Sequence, residues 1–69
     1  MKLRHAAALS PIMTVKELAQ YLRCHFSMIY RLIRKGELPF FKIGSDYRFN
    51  RDDIDKWIVE RERSRDRSR

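Results

Sequence analysis

The chain is short of nearly everything that would staple or anchor it. Its 69 residues include one cysteine, Cys24, which has no partner for an internal disulfide, so a disulfide-built secreted fold is excluded. Two histidines and that cysteine offer no ligand set at zinc spacing. No apolar run approaches the roughly 18–20 residues of a membrane span. Residues 1–9 imitate a secretory leader, with Lys2 and Arg4 ahead of Ala6-Ala7-Ala8-Leu9, but that stretch is too short and Ser10-Pro11 interrupts it. No phosphate-binding glycine loop and no nucleophile–base pair is readable, so neither catalysis nor a cofactor is expected. What remains is a soluble, cytoplasmic domain held together by packing. A chain of this length buries only about 60% of its unfolded surface, so its core is thin.

Acidic side chains are scarce where it matters. Formal net charge is +7. Residues 1–50 carry nine basic side chains against three acids, an excess of six, whereas residues 51–69 carry seven against six, an excess of one. The Arg-rich C-terminus therefore adds little net charge, despite its look. A basic excess concentrated in the folded part favours a polyanionic partner. The last ten residues contain no apolar side chain, so a basic, disordered tail is expected over 63–69.

Local patterns supply the elements. Thr14-Val15-Lys16-Glu17 fits a capping box, and Val15, Leu18, Ala19 and Leu22 follow at helical spacing, which predicts a helix over 15–22. After a break at Arg23-Cys24-His25, Ile29, Leu32 and Ile33 predict a second helix over about 26–35, with Gly36 in the left-handed cap position. Two short helices across such a turn make a helix-turn-helix. Alternation at Phe40-Phe41-Lys42-Ile43 and again at Tyr47-Arg48-Phe49, around Gly44-Ser45-Asp46, predicts a β-hairpin with a loop of three or four residues. Asn50 caps a third helix, Asp52 and Asp53 suit its first turn, and Ile54, Trp57 and Ile58 give it an apolar face to about Glu62. The hairpin following the helix-turn-helix reads as a wing. The expected fold is α+β, mainly α: an arm over 1–12, a winged helix-turn-helix over 13–62, and the tail.

With these residues in place, the run from Thr14 to Trp57 resembles the excisionase-type, MerR-like winged-helix DNA-binding domains. The matching elements are Thr14 with Glu17-Leu18-Ala19, then Ile29-Tyr30-Arg31-Leu32-Ile33, then Gly36-Glu37-Leu38-Pro39. Lys42-Ile43-Gly44, Tyr47-Arg48 and the closing Arg51-to-Trp57 segment complete the pattern. The resemblance implies double-stranded DNA as partner, further copies of the chain on adjacent sites, and nucleoid association when bound. It also implies a role as a transcriptional regulator, or as a recombination directionality factor with a recombinase as partner. One stretch departs from the family pattern. Helix 2 opens with His25 and Phe26 where relatives carry Ser or Asn and then a basic residue, so base preference does not transfer.

On helix 2, Ser27, Arg31, Arg34 and Lys35 share the face opposite Ile29 and Ile33. N-terminal residues of a recognition helix reach base edges, and the Arg31 fork fits guanine or a phosphate. Phe26 and Met28 stand near the helix start, as thymine-methyl contacts or as core or docking residues. Arg48 points opposite Phe49 in the hairpin and suits backbone or minor groove, or is a solubilising charge; Lys42 suits a phosphate. His25 is read as a helix cap in preference to a phosphate contact, Cys24 as a small buried hydrophobe, and Trp57 as core. Asp52, Asp53 and Asp55 resemble a metal cluster, but helix-start positions explain the first two. The expected DNA-binding set is thus His25, Phe26, Ser27, Met28, Arg31, Arg34, Lys35, Lys42 and Arg48. The competing readings are a protein-interaction adaptor docking through Phe26, Met28 and Phe40, and an RNA binder aided by the tail.

Overall fold

The computed structural model describes residues 11–67, with side chains through Ser64. The capping box forms as the spacing predicts: Thr14 Oγ1 accepts from the Glu17 amide at 3.1 Å, and Glu17 Oε1 accepts from the Thr14 amide at 3.0 Å. Helix α1 (Val15–Leu22) follows and buries Leu18 and Ala19. Helix α2 (Phe26–Arg34) is capped by His25, whose Nδ1 accepts from the Ser27 amide at 3.1 Å, and it buries Ile29, Leu32 and Ile33. Lys35 is the C-cap, and Gly36 takes the left-handed conformation at φ 70°. The amides of Gly36 and Glu37 donate to the carbonyls of Ile33 and Leu32 at 2.9 and 3.1 Å, closing the helix with a Schellman motif.

Strands β2 (Phe41–Ile43) and β3 (Asp46–Asn50) form the hairpin, paired Phe41 to Arg48, Lys42 to Tyr47 and Ile43 to Asp46. The loop is therefore two residues, Gly44-Ser45, shorter than the sequence reading. Gly44 at φ 66° supplies the positive φ that a primed turn needs, so Asp46 is released into the strand. The first residues bring a further difference. Ile12 and Met13 form a short strand, β1, paired antiparallel with Asn50 and Phe49, so Ile12 belongs to the sheet and not to an arm. Strand order is β1-β3-β2. The rest of the expected arm, residues 1–10, lies outside the described residues.

Helix α3 (Arg51–Arg67) starts directly from β3, with Asn50 Oδ1 accepting from the Asp52 amide at 2.9 Å. It runs past the expected end near Glu62 to Arg67. Glu, Arg and Ser sustain a helix by backbone bonding without an apolar face, and Arg63 lies 3.7 Å from Glu60 one turn before it. The expected tail is thus helical over 63–67; Ser68 and Arg69 lie outside the described residues.

The core sits where the three helices meet the sheet. Leu18, Ile29, Phe49 and Ile54, one side chain or more from each layer, are fully buried, with Met13, Ala19, Leu32, Ile33 and Leu38 around them. Each large apolar side chain so buried contributes about 1.5–3 kcal/mol. Because Phe49 faces this core from β3, the wing is tied to the helices by packing and not by its three ladder pairs alone. Trp57, half-buried at the core edge, donates from Nε1 to the Glu37 carbonyl at 2.7 Å and so fixes the bend between α2 and the wing. Cys24 is half-buried against the same core, short of the full burial expected.

Candidate nucleic-acid interface

Burying Ile29, Leu32 and Ile33 turns the opposite side of α2 to solvent. Ser27, Arg31, Arg34 and Lys35 are all exposed there, as the helical spacing requires. Their charges are bare: Arg31, Arg34 and Lys35 make no side-chain hydrogen bond or ion pair with any described residue. Three acids of the described residues are engaged with other partners. Glu17 closes the α1 cap, Glu37 lies 3.6 Å from Arg61, and Asp55 accepts from the Tyr21 hydroxyl at 2.5 Å. An uncompensated basic face on a helix, which is about 10–12 Å across with its side chains, suits the width of a DNA major groove.

His25 occupies the cap position, which commits Nδ1 to the Ser27 amide and places the Ser27 hydroxyl 2.9 Å from the same nitrogen. Its ring packs on Phe26 with centroids 4.3 Å apart. Phe26 and Met28 are on the surface, 49% and 39% exposed, so neither belongs to the core. Phe26 and Met28 flank the basic face on opposite sides.

The wing side holds what periodicity along α2 alone could not place. Phe26 meets Tyr30 edge-on at 6.4 Å, Tyr30 meets Tyr47 of β3 at 6.1 Å, and Tyr47 meets Phe40 at 5.3 Å. This aromatic seam joins the start of α2 to the wing. Tyr47 shares the inner face of the hairpin with Lys42, whose ammonium lies 5.1 Å over the Tyr47 ring. The cation is thereby held near α2, a modest attraction worth about 0.5–1 kcal/mol at an exposed site.

Arg48 lies on the other face of β3 from buried Phe49, as alternation predicts, but its head group is not free. Nη1 donates to the Tyr47 carbonyl at 2.8 Å, and Nη2 lies 3.9 Å from Asp46. Both residues border a shallow notch of about 450 Å³ that opens between the start of α1, the start of α2 and β3. Lys16 lines it too, brought there by the turn from β1 into α1. Tyr30, Tyr47 and Lys16 are thus near the predicted residues without having been singled out. Alternation in the hairpin carried a signal for Tyr47, and the four-residue spacing from Phe26 one for Tyr30; nothing local marked Lys16.

Among the described residues no group of three His, Cys, Asp or Glu side chains could hold a metal, and no helix is long and apolar enough to cross a membrane. Asp52 and Asp55 have explained positions, one in the α3 cap and the other bonded to Tyr21. No curated protein and no solved structure matches the chain significantly. The family described as "Helix-turn-helix domain" matches residues 12–62, from β1 through most of α3. With two helices across a tight turn, a wing behind them and that match over most of its length, the chain belongs to the helix-turn-helix domain family, whose members bind DNA.

Proposed function

We propose that the chain binds double-stranded DNA with sequence preference, placing α2 in the major groove and the wing on the adjacent backbone or minor groove. The observation that carries this reading is the unpaired basic face of α2. Arg31, Arg34 and Lys35 are exposed together, without an acid among them, on the helix that a winged helix-turn-helix presents to DNA. Ser27, in the first turn of α2, and Arg31, one turn further along the same face, are the base-reading candidates. Phe26 and Met28 offer apolar contact to thymine methyls, and His25 presents the helix start. Arg34, Lys35, Lys42 and Arg48 are the phosphate contacts. One copy makes a small interface, so useful affinity calls for several copies on adjacent sites. The role that fits is that of a small transcriptional regulator or an excisionase-like accessory to a recombinase.

The test is duplex affinity measured against salt. Four neutralised phosphates give a log–log slope of about −3.6. A flat slope, or no binding at low salt, overturns the reading, and equal affinity for A-form RNA duplexes transfers it to RNA. Selection from a random duplex library should converge on one site, and repeated sites at fixed spacing would establish multiple copies.

A further inference from the structure

The chain ends α1 and α2 with the same backbone motif, but with different residues in its critical position. In α2 the left-handed residue is Gly36. In α1 it is Arg23, at φ 56° and ψ 50°, with its amide donating to the Gln20 carbonyl at 3.2 Å and the Cys24 amide to the Ala19 carbonyl at 2.9 Å. Arg23 is the sole non-glycine at positive φ among the described residues. An L-residue there sets its Cβ against the backbone, a strain glycine avoids, and such outliers concentrate where the side chain has work to do.

No task within the fold explains it. The Arg23 side chain is exposed and makes no hydrogen bond or ion pair with any described residue. A cation to balance the α1 dipole could stand at exposed Gln20 without any backbone strain. What is particular to position 23 is its place, two residues ahead of the His25 cap, in the turn beside the α2 N-terminus. That is the end of a recognition helix that approaches DNA.

We infer that Arg23 is a phosphate-binding residue, retained in a strained turn because its guanidinium grips the DNA backbone flanking the groove that α2 enters. The inference rests on the DNA-binding reading and adds to it a contact outside both α2 and the wing. Two variants of the full chain separate charge from strain. Arg23→Gln keeps the strained backbone and removes the charge; Arg23→Gly removes both.

Duplex binding across a salt series and thermal melts of the free proteins give the answer. Arg23→Gln should weaken binding roughly eightfold at about 0.1 M salt and lower the slope magnitude by about 0.9, with the melt close to wild type. Arg23→Gly should show the same binding defect while melting above Arg23→Gln. An Arg23→Gln slope equal to wild type overturns the inference and leaves the DNA reading intact. Failure of Arg23→Gly to melt above Arg23→Gln removes the strain on which it stands. If the wild-type chain binds no duplex, the DNA reading itself has failed.

Discussion

Arg31 and Arg48 are both cationic candidates for DNA, yet their surroundings assign them different behaviour. Arg31 is exposed and unpaired on the centre of the α2 face, free to present its planar fork to a guanine edge. Arg31→Ala should therefore lower affinity for the selected site by about 1–3 kcal/mol and relax selection at one base pair, with the thermal melt nearly unchanged. Arg48 is half-buried, bonded to the Tyr47 carbonyl and set near Asp46. Arg48→Ala should weaken binding about equally on all duplexes and reduce the salt slope by about one. In the proposed complex, Asp46 would compete with phosphate for that guanidinium and add a negative charge beside the DNA backbone. Asp46→Asn is expected to strengthen duplex binding, and to do so less in an Arg48→Ala background. Equal gains in both backgrounds would show that the two side chains do not act as a pair. The side-chain types and their faces were legible in the sequence at this scale. The engagement of Arg48 was not, because a guanidinium that reaches back to its own strand leaves no mark in periodicity.

Between elements, polar ties hold the helices where packing is thin. Tyr21 of α1 donates to Asp55 of α3, and Arg51 lies over the Tyr21 ring at 5.5 Å. The hydrogen bond to Asp55 chiefly raises the Tyr21 hydroxyl above its ordinary pKa of 10.0, helped by desolvation and by the Asp55 charge, while Arg51 acts the other way. A raised folded-state pKa means that the neutral phenol is favoured in the native state. Its contribution is fully present below the ordinary tyrosine range and is lost as pH rises through the raised value. Ultraviolet titration of the tyrosines should show one transition displaced to higher pH that disappears in Tyr21→Phe. If wild type and Tyr21→Phe differ only by one ordinary tyrosine, the tie does not persist in solution. Elements themselves were well marked along the chain: α1 and the start of α2 carry capping residues, and Gly36 marks the end of α2. The short strand at Ile12–Met13 was missed because two residues are too few to show alternation. They become a strand only through pairing with Asn50 and Phe49.

For the whole molecule, net charge and small size act together. A charge of +7 on 69 residues repels itself, and nine buried apolar residues among those described form the core that resists it. Salt in the range of roughly 0.05–0.3 M should therefore act with opposite signs on two measurements. It should raise the thermal midpoint of the free protein slightly by screening self-repulsion, and steeply weaken duplex binding by reducing the gain from counterion release. A midpoint that falls with salt would show that attractive ion pairs, such as Glu37–Arg61 and Glu60–Arg63, outweigh the repulsion.

The linear sequence by itself determined the helices α1 and α2, their caps, the presence of a hairpin, and the concentration of positive charge before residue 51. Each of these depends on residues within a few positions of one another, where propensity, capping and spacing act directly. Tertiary structure alone decided the joining of Ile12–Met13 to β3, the aromatic seam from Phe26 to Phe40, and the position of Lys16 beside the wing. It also decided the partners of Arg48 and Trp57. These depend on side chains far apart in the chain that meet only once Leu18, Ile29, Phe49 and Ile54 have closed the core. The left-handed turn at Arg23 lies between the two: the sequence marked a break there. The packing of α1 against α2 then holds an arginine in a conformation it would not adopt alone.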